Sequence, residues 1–455
     1  MISIQPEKKY PISLRGFCKE ESQSIDSCFL DVKEPGNITL SDKHATAYVY
    51  LGDKNKVDFD LVYNHLKNFL AKISYDLDID IDSFNPLAND KVVQGVIQAC
   101  LYGHHNFYTL KAKKPREVNF NLITKNNQLE NILKKNRSLM ESLNACRDWC
   151  DLPPNICTPK GFVELASKFL RPSTNLKIST LNRHECEQLG MGLFLSVAQG
   201  GINEPQFMIV EYEGNPASND KTAFIGKGIT FDSGGYALKP LIGQRNERYD
   251  MCGAAAVIAA MHGIAKEAPK TNIVAIAPLA ENRIGGGTTL NSSIVTSMSG
   301  RTVEVVSTDA EGRMVMADAI TYAIKHLKAT KIVTVATLTG AMIMGLGKYT
   351  TGAMSRDDNF FQEFWQAAQT ANERFWRMPL EPESFKAMTE SKYADLNNHV
   401  WIKYNPPGNA AAFLDIFSED KPFIHIDIAG SAYIDDRSKG TMVKSIIEYA
   451  CQTGQ

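Results

Sequence analysis

No uncharged apolar run in this chain is long enough to cross a bilayer, and its first residues lack the basic-then-apolar layout of a secretory leader. The expectation is a cytoplasmic protein with no membrane partner. Neither sign of charge is in excess: 49 basic and 51 acidic residues leave a net charge of -2, which gives no electrostatic warrant for a nucleic-acid partner. The nine cysteines, spread from Cys18 to Cys451, include no Cys-x-x-Cys pair, so reduced thiols are expected rather than a disulfide frame. Cys146 and Cys150, four apart on a predicted helix, read as packing residues. Internal repeats and low-complexity tracts are absent as well. What remains is an ordinary globular composition, 44% hydrophobic and 22% charged over 455 residues, enough for two or three domains.

Strand and helix patterns alternate through most of the chain. The first forty or so residues give only weak strand signals. After them, strands are expected over 46–51, 77–81 and 118–123, with helices over 58–73 and 91–102. His104 and His105 fall at the end of the last helix, with no acidic or sulfur partner at ligand spacing. A long charged segment, 127–149, carries apolar residues near helical period and stops at Pro153-Pro154. The fold class is therefore α/β: two α/β domains joined by a long helix, the larger C-terminal domain holding a mixed central sheet. The expected bounds are 1–125, 126–152 and 153–455.

Two clusters carry the chemistry. The segment Val305-Val306-Ser307-Thr308-Asp309-Ala310-Glu311-Gly312-Arg313 ends in two carboxylates and a guanidinium. On an extended backbone residues two apart share a face, so Asp309, Glu311 and Arg313 are expected to project together at a strand end, with a helix over 314–326 following. Upstream, Gly226-Lys227-Gly228-Ile229-Thr230-Phe231-Asp232-Ser233-Gly234-Gly235 places a lysine and an aspartate among glycines, with Lys239 beyond. It is not a phosphate loop, because Lys227 leads into a further apolar run rather than opening a helix. Asp250 then heads a helix of small residues.

Asp232, Asp250, Asp309 and Glu311 would repel one another strongly unless cations lay among them. With Lys227 as a fifth ligand they suffice for two divalent cations that share carboxylates; Mn²⁺, Zn²⁺ and Mg²⁺ all suit such donors. A lysine ligates only as the neutral amine, so Lys227 needs a depressed pKa. Lys239 and Arg313 are left as the charged groups free to face substrate. His262 and His326 lie well down their helices and read as core or surface residues.

Both clusters resemble the signature motifs of the leucyl aminopeptidase family of metallopeptidases. Tyr236, Glu373-Arg374-Phe375-Trp376-Arg377-Met378-Pro379-Leu380, Ala394-Asp395-Leu396-Asn397-Asn398 and His425-Ile426-Asp427 resemble its peptidase B branch in particular. The resemblance covers the chain from about Pro153 onward. It implies that Lys227, Asp232, Asp250 and Glu311 hold one metal and that Asp232, Asp309 and Glu311 hold the other. By the same resemblance, Lys239 stabilises the oxyanion, Arg313 holds a bicarbonate acting as general base, and the substrates are peptides with a free N-terminus. A homohexamer is also implied.

Two positions depart from the family pattern. Ser307 replaces a usual Asn, removing no ligand. Glu247 stands where a Met commonly lines the pocket for the N-terminal side chain. There it would favour an N-terminal Lys or Arg, unless Arg245 and Arg248 neutralise it on the surface. The alternative function is a DNA-binding or regulatory protein that keeps the peptidase fold, and a third reading is a structural subunit with a dead site.

Overall fold

The computed structural model describes residues 1–21, 34–41, 45–105, 110–112, 116–125, 128–401 and 404–454. These form two compact units, Met1–Asn144 and Ala145–Gln455, and the helix Leu129–Asp151 carries the chain from one to the other. Residues 126 and 127, at the start of the expected connector, lie outside the described residues, as does Cys28. Every cysteine among the described residues is a free thiol, and Cys146 and Cys150 are buried on that helix. Among the described residues no helix is long and apolar enough to cross a membrane.

The first unit is built on a six-stranded sheet in the order Ile2–Ile4, Phe120–Ile123, Leu77–Asp80, Ser13–Phe17, Thr46–Tyr50, Ile38–Ser41. Its neighbours are parallel except the last pair. Three of these strands come from the region whose strand signal is weak. They are three to five residues long and bury no clean alternate face, so a period of two has too few residues to register. The helix Phe59–Leu70 starts where the Asp58 side chain accepts from the Leu61 N–H, and buries Phe59, Val62, Leu66 and Leu70 at helical spacing. That stripe packs on the helix Asp90–His104, capped by Asn89 and ending at His104.

The second unit has a nine-stranded mixed sheet. Phe423–Asp427, Lys331–Ala336, Thr222–Gly226 and Asn272–Asn282 run parallel at its centre. Thr351–Ser355 pairs antiparallel to the first of these, and Gln206–Glu213 and Leu176–Leu181 continue antiparallel beyond the last. The central strands are buried nearly throughout, which is why they read as continuous apolar runs rather than alternating ones. The helices Cys252–Glu267 and Glu311–Lys325 pack on these strands, the former buried from Cys252 to Ala265. His262 is buried there against Phe169, while His326 is exposed and stacks on Tyr322.

The strand before Asp309 differs from expectation. Only Thr302–Glu304 is strand, and it belongs to a separate three-stranded sheet with Ile294–Thr296 and Leu396–Asn397. A run of three or four valines and charges fits a side hairpin as well as a central strand, and only tertiary pairing decides between them.

Candidate metal centre

The central strand breaks at one residue. Thr222–Gly226 pairs with Ile273–Ile276, and after Lys227 the chain resumes as Gly228–Asp232 beside Leu279–Asn282. Lys227 sits at that interruption, its N–H donating to Val335 O (3.0 Å) and its carbonyl accepting from Ala254 N (2.9 Å). The helix Cys252–Glu267 can come this close only because Gly226 and Gly253 lack side chains. A Cβ on Gly226 would lie 2.3 Å from Gly253 O, and one on Gly253 would lie 2.0 Å from Val335 O. Both clashes are with backbone, so Gly253→Ala is expected to lower stability by about 2–3 kcal/mol, a shift that urea unfolding would read.

Asp232 ends its strand segment. Its Oδ1 accepts from Asn282 Nδ2 (2.7 Å) and from Gly234 N (2.8 Å). Gly234 and Gly235 have φ of +86° and +60°, a left-handed pair that a side chain would strain; it turns the chain back towards Thr308. Thr308 Oγ1 donates to Gly234 O (2.7 Å) and accepts from Ala237 N (2.8 Å), while Asn282 also donates to Thr308 O (2.9 Å). The two sequence clusters are thus sewn together through backbone.

Asp309 lies in the turn before the helix Glu311–Lys325, of which Glu311 is the first residue. The extended-backbone reading of Asp309, Glu311 and Arg313 is therefore corrected. Residues two apart at a helix start diverge by about 200°, so Glu311 and Arg313 do not share a face. Asp309 and Glu311 still meet, because the turn rather than a strand aims them. Ser307 Oγ accepts from Asp309 N (3.2 Å), and Asn398 pairs with the Ser307 backbone in both directions (3.2 and 2.7 Å). Asp250 follows the short turn Glu247–Tyr249 two residues before its helix; its Oδ1 accepts from Thr337 Oγ1 (2.8 Å).

Two lysines hold the acids. Lys227 Nζ lies 2.7 Å from Asp250 and 2.8 Å from Glu311, all three buried. Lys239 Nζ lies 2.8 Å from both Asp232 and Asp309. Burial alone would lower the Lys227 pKa, but Asp250, Glu311 and Asp232 outweigh it and raise it. The depressed value that ligation requires, expected from adjacent cations together with burial, is not reached with chain groups alone, because three carboxylates stabilise the ammonium. Burial, reinforced by Glu311, pushes Asp232 up to about 7 against the pull of both lysines. Asp250 and Asp309 are raised for the same reason, burial first. Glu311 goes the other way: burial would raise it, and Lys227 and Lys239 prevail.

Oxygens from Asp232, Asp309 and Glu311 lie within 4.8 Å of one another, and so do oxygens from Asp232, Glu247 and Asp250. Glu311 is 2% exposed, yet its Oε2 has no hydrogen-bond partner among the described residues. A buried carboxylate oxygen without a donor is unfavourable, and a divalent cation is a partner that fits these hard oxygen donors. Arg313 is buried with its Nε unpartnered among the described residues, and burial presses its pKa down to about 10 despite Glu311 and Asp427. It stays charged at neutral pH and suits a small anion. Nearby Asp427 accepts from Leu338 N, Thr339 N, Thr339 Oγ1 and Ala429 N, and buried His425 is held neutral, its Nδ1 2.8 Å from Thr334 Oγ1. Thr308 and Asn398 fall within the motif stretches without a role of their own, and Asn282 and Thr337 were not singled out in the sequence at all. Their one signal is position, at or just beyond the ends of strands.

Lys227, Asp232, Thr337 and Asp427 all stand at the carboxyl ends of parallel strands or one residue past them, where open α/β sheets gather their chemistry. Fold and centre together define an α/β enzyme of the cation-dependent class. Residues 144–448 match the cytosol aminopeptidase family, catalytic domain. The chain belongs to that family and is a metallo-exopeptidase of the cytosol (leucyl) aminopeptidase type. It is 37% identical over 432 residues to a probable cytosol aminopeptidase of Metamycoplasma salivarium, covering 93% of this chain and 83% of that one. With a probable cytosol aminopeptidase of Treponema denticola the identity is 36% over 424 residues, covering 89% and 88%. The solved structure of the bottromycin maturation enzyme BotP in complex with Mn superposes with a TM-score of 0.85 at 24% identity, covering 98% of this chain and 100% of that one, and shares the fold. The DNA-binding alternative gains no support from these relatives.

Proposed function

We propose that the protein removes N-terminal residues from peptides by a two-cation mechanism, with residues 153–455 as the catalytic domain. The observation that carries this reading is the pair of carboxylate triads meeting at Asp232. Lys227, Asp232, Asp250 and Glu311 would hold one cation, and Asp232, Asp309 and Glu311 the other, with Mn²⁺, Zn²⁺ and Mg²⁺ as candidates. Such a pair supplies an anchor for the free α-amine, a polarised scissile carbonyl and an acidified water. Lys239, less buried than Lys227, donates to the carbonyl oxygen as it gains negative charge. Asn282 and Thr337 orient Asp232 and Asp250. Arg313 would hold the bicarbonate that moves a proton from the attacking water to the departing amine nitrogen, since the guanidinium itself does not give up its proton. A cytoplasmic homohexamer is the assembly the family resemblance implies.

Metal-depleted protein is expected to regain turnover of leucine amide when Mn²⁺, Zn²⁺ or Mg²⁺ is restored singly. No recovery with any of the three would refute the reading. In the same assay Lys239→Met should retain both metals and lose about 100-fold in kcat, because its contact strengthens as the oxyanion forms. Full activity in that variant would remove Lys239 from the mechanism.

A further inference from the structure

Glu247 faces the metal centre. The two arginines beside it in sequence are engaged elsewhere: Arg245 pairs with Asp436 (3.2 Å), and Arg248 donates to Tyr249 Oη (3.0 Å) and lies over that ring. Surface neutralisation by them is therefore excluded. The turn Glu247–Tyr249 is pinned where its first carbonyl accepts from Asp250 N (3.2 Å), and Asp250 O in turn accepts from Ile229 N (3.2 Å) on the strand that delivers Asp232. This sets Glu247 and Asp250 on one side of the centre. A carboxylate oxygen of Glu247 lies within 4.8 Å of oxygens from both Asp232 and Asp250. Its side chain is 21% exposed, and among the described residues its one ion-pair contact is Lys239 Nζ at 3.8 Å, too long for a hydrogen bond.

We propose that Glu247 is a further cation-binding carboxylate of this centre, closing the solvent edge of the Asp232–Asp250 pair; the inference rests on the two-cation reading above. Two facts favour this over a passive role. Glu311 Oε2 is buried and unpartnered, and Asp250 Oδ2 meets only an ammonium, so the chain's own groups leave the centre short of positive charge. Charge balance agrees. Once Lys227 ligates as the neutral amine, two divalent cations and the Lys239 ammonium balance five carboxylates, Glu247 included. With an uncharged residue at 247 the centre would carry one excess positive charge. Glu247 therefore raises cation affinity most on the side where Asp250 stands.

The test is calorimetric titration of Mn²⁺ into metal-depleted full-length protein, comparing wild type with Glu247→Gln, Glu247→Met and Glu247→Asp. Wild type should bind two Mn²⁺ per chain. Gln and Met should weaken one of the two sites by about tenfold and leave the other within about twofold, while Asp, which keeps the charge, should retain most of the affinity. Melting curves give a second readout: the metal-free Gln variant should melt no lower than metal-free wild type, since a like charge has left the acid cluster, and its Mn²⁺-induced rise should be smaller. Unchanged affinity at both sites overturns the proposal. Unchanged affinity with an altered ratio of lysine-amide to leucine-amide turnover also overturns it, and moves the carboxylate to the substrate pocket. Failure of wild type to bind two Mn²⁺ would instead defeat the two-cation reading itself.

Discussion

Glu311→Gln should lose metal and activity together, with kcat/KM for leucine amide falling by about three orders of magnitude. Glu311 is the acid that faces both lysine-bound halves of the centre: it pairs with Lys227 and lies in one triad with Asp232 and Asp309. Glutamine keeps the shape, so packing at the helix start should survive and Asp250 still holds Lys227. What disappears is a full negative charge on a buried side chain. Cation polarisation of a carbonyl is worth several kcal/mol, and about 1.4 kcal/mol is tenfold in rate. Metal content by mass spectrometry, measured beside kcat/KM, checks this. A variant that keeps two metals per chain and works within about tenfold of wild type would show that Glu311 is not a ligand.

Blocking the substrate's amine should be nearly as damaging. Acetylating the α-nitrogen of a leucyl peptide is expected to depress turnover by roughly a thousandfold, because the amide nitrogen has no lone pair to offer a cation and its anchoring is lost in every state after encounter. The comparison of free and acetylated leucyl-glycyl-glycine, followed by release of glycyl-glycine, needs no variant protein. Equal cleavage of both would show that no free amine is needed and sink the amine-anchoring role of the cations.

The acids and lysines of the centre were legible in the sequence because their chemistry is narrow: carboxylates crowded among glycines have few purposes other than a ligand. The strand segments that lead to Lys227 and Asp232 were legible as apolar runs because they are buried. The geometry at Asp309 was not. Two apart in sequence means one face on a strand and divergence on a helix, and nothing in Asp309-Ala310-Glu311 announces the turn between them. Thr337 and Asn282 escaped notice because neutral polar residues at strand ends are common, and their value depends on which carboxylate they meet. Glu247 was visible as an oddity, but its neighbours Arg245 and Arg248 offered a bland explanation that only the paths of their side chains remove.

Lys227 and Lys239 already sit among the carboxylates that would otherwise drive the strand ends and helix starts apart. The polypeptide thus carries its own temporary counter-ions. A small zinc domain has no native state until metal arrives, whereas here ammonium groups of the chain already partner the acids; on the proposed two-cation reading, loading would be an exchange in which Lys227 gives up a proton and Lys239 leaves Asp232 and Asp309. On that reading the chain would be able to fold before any cation binds.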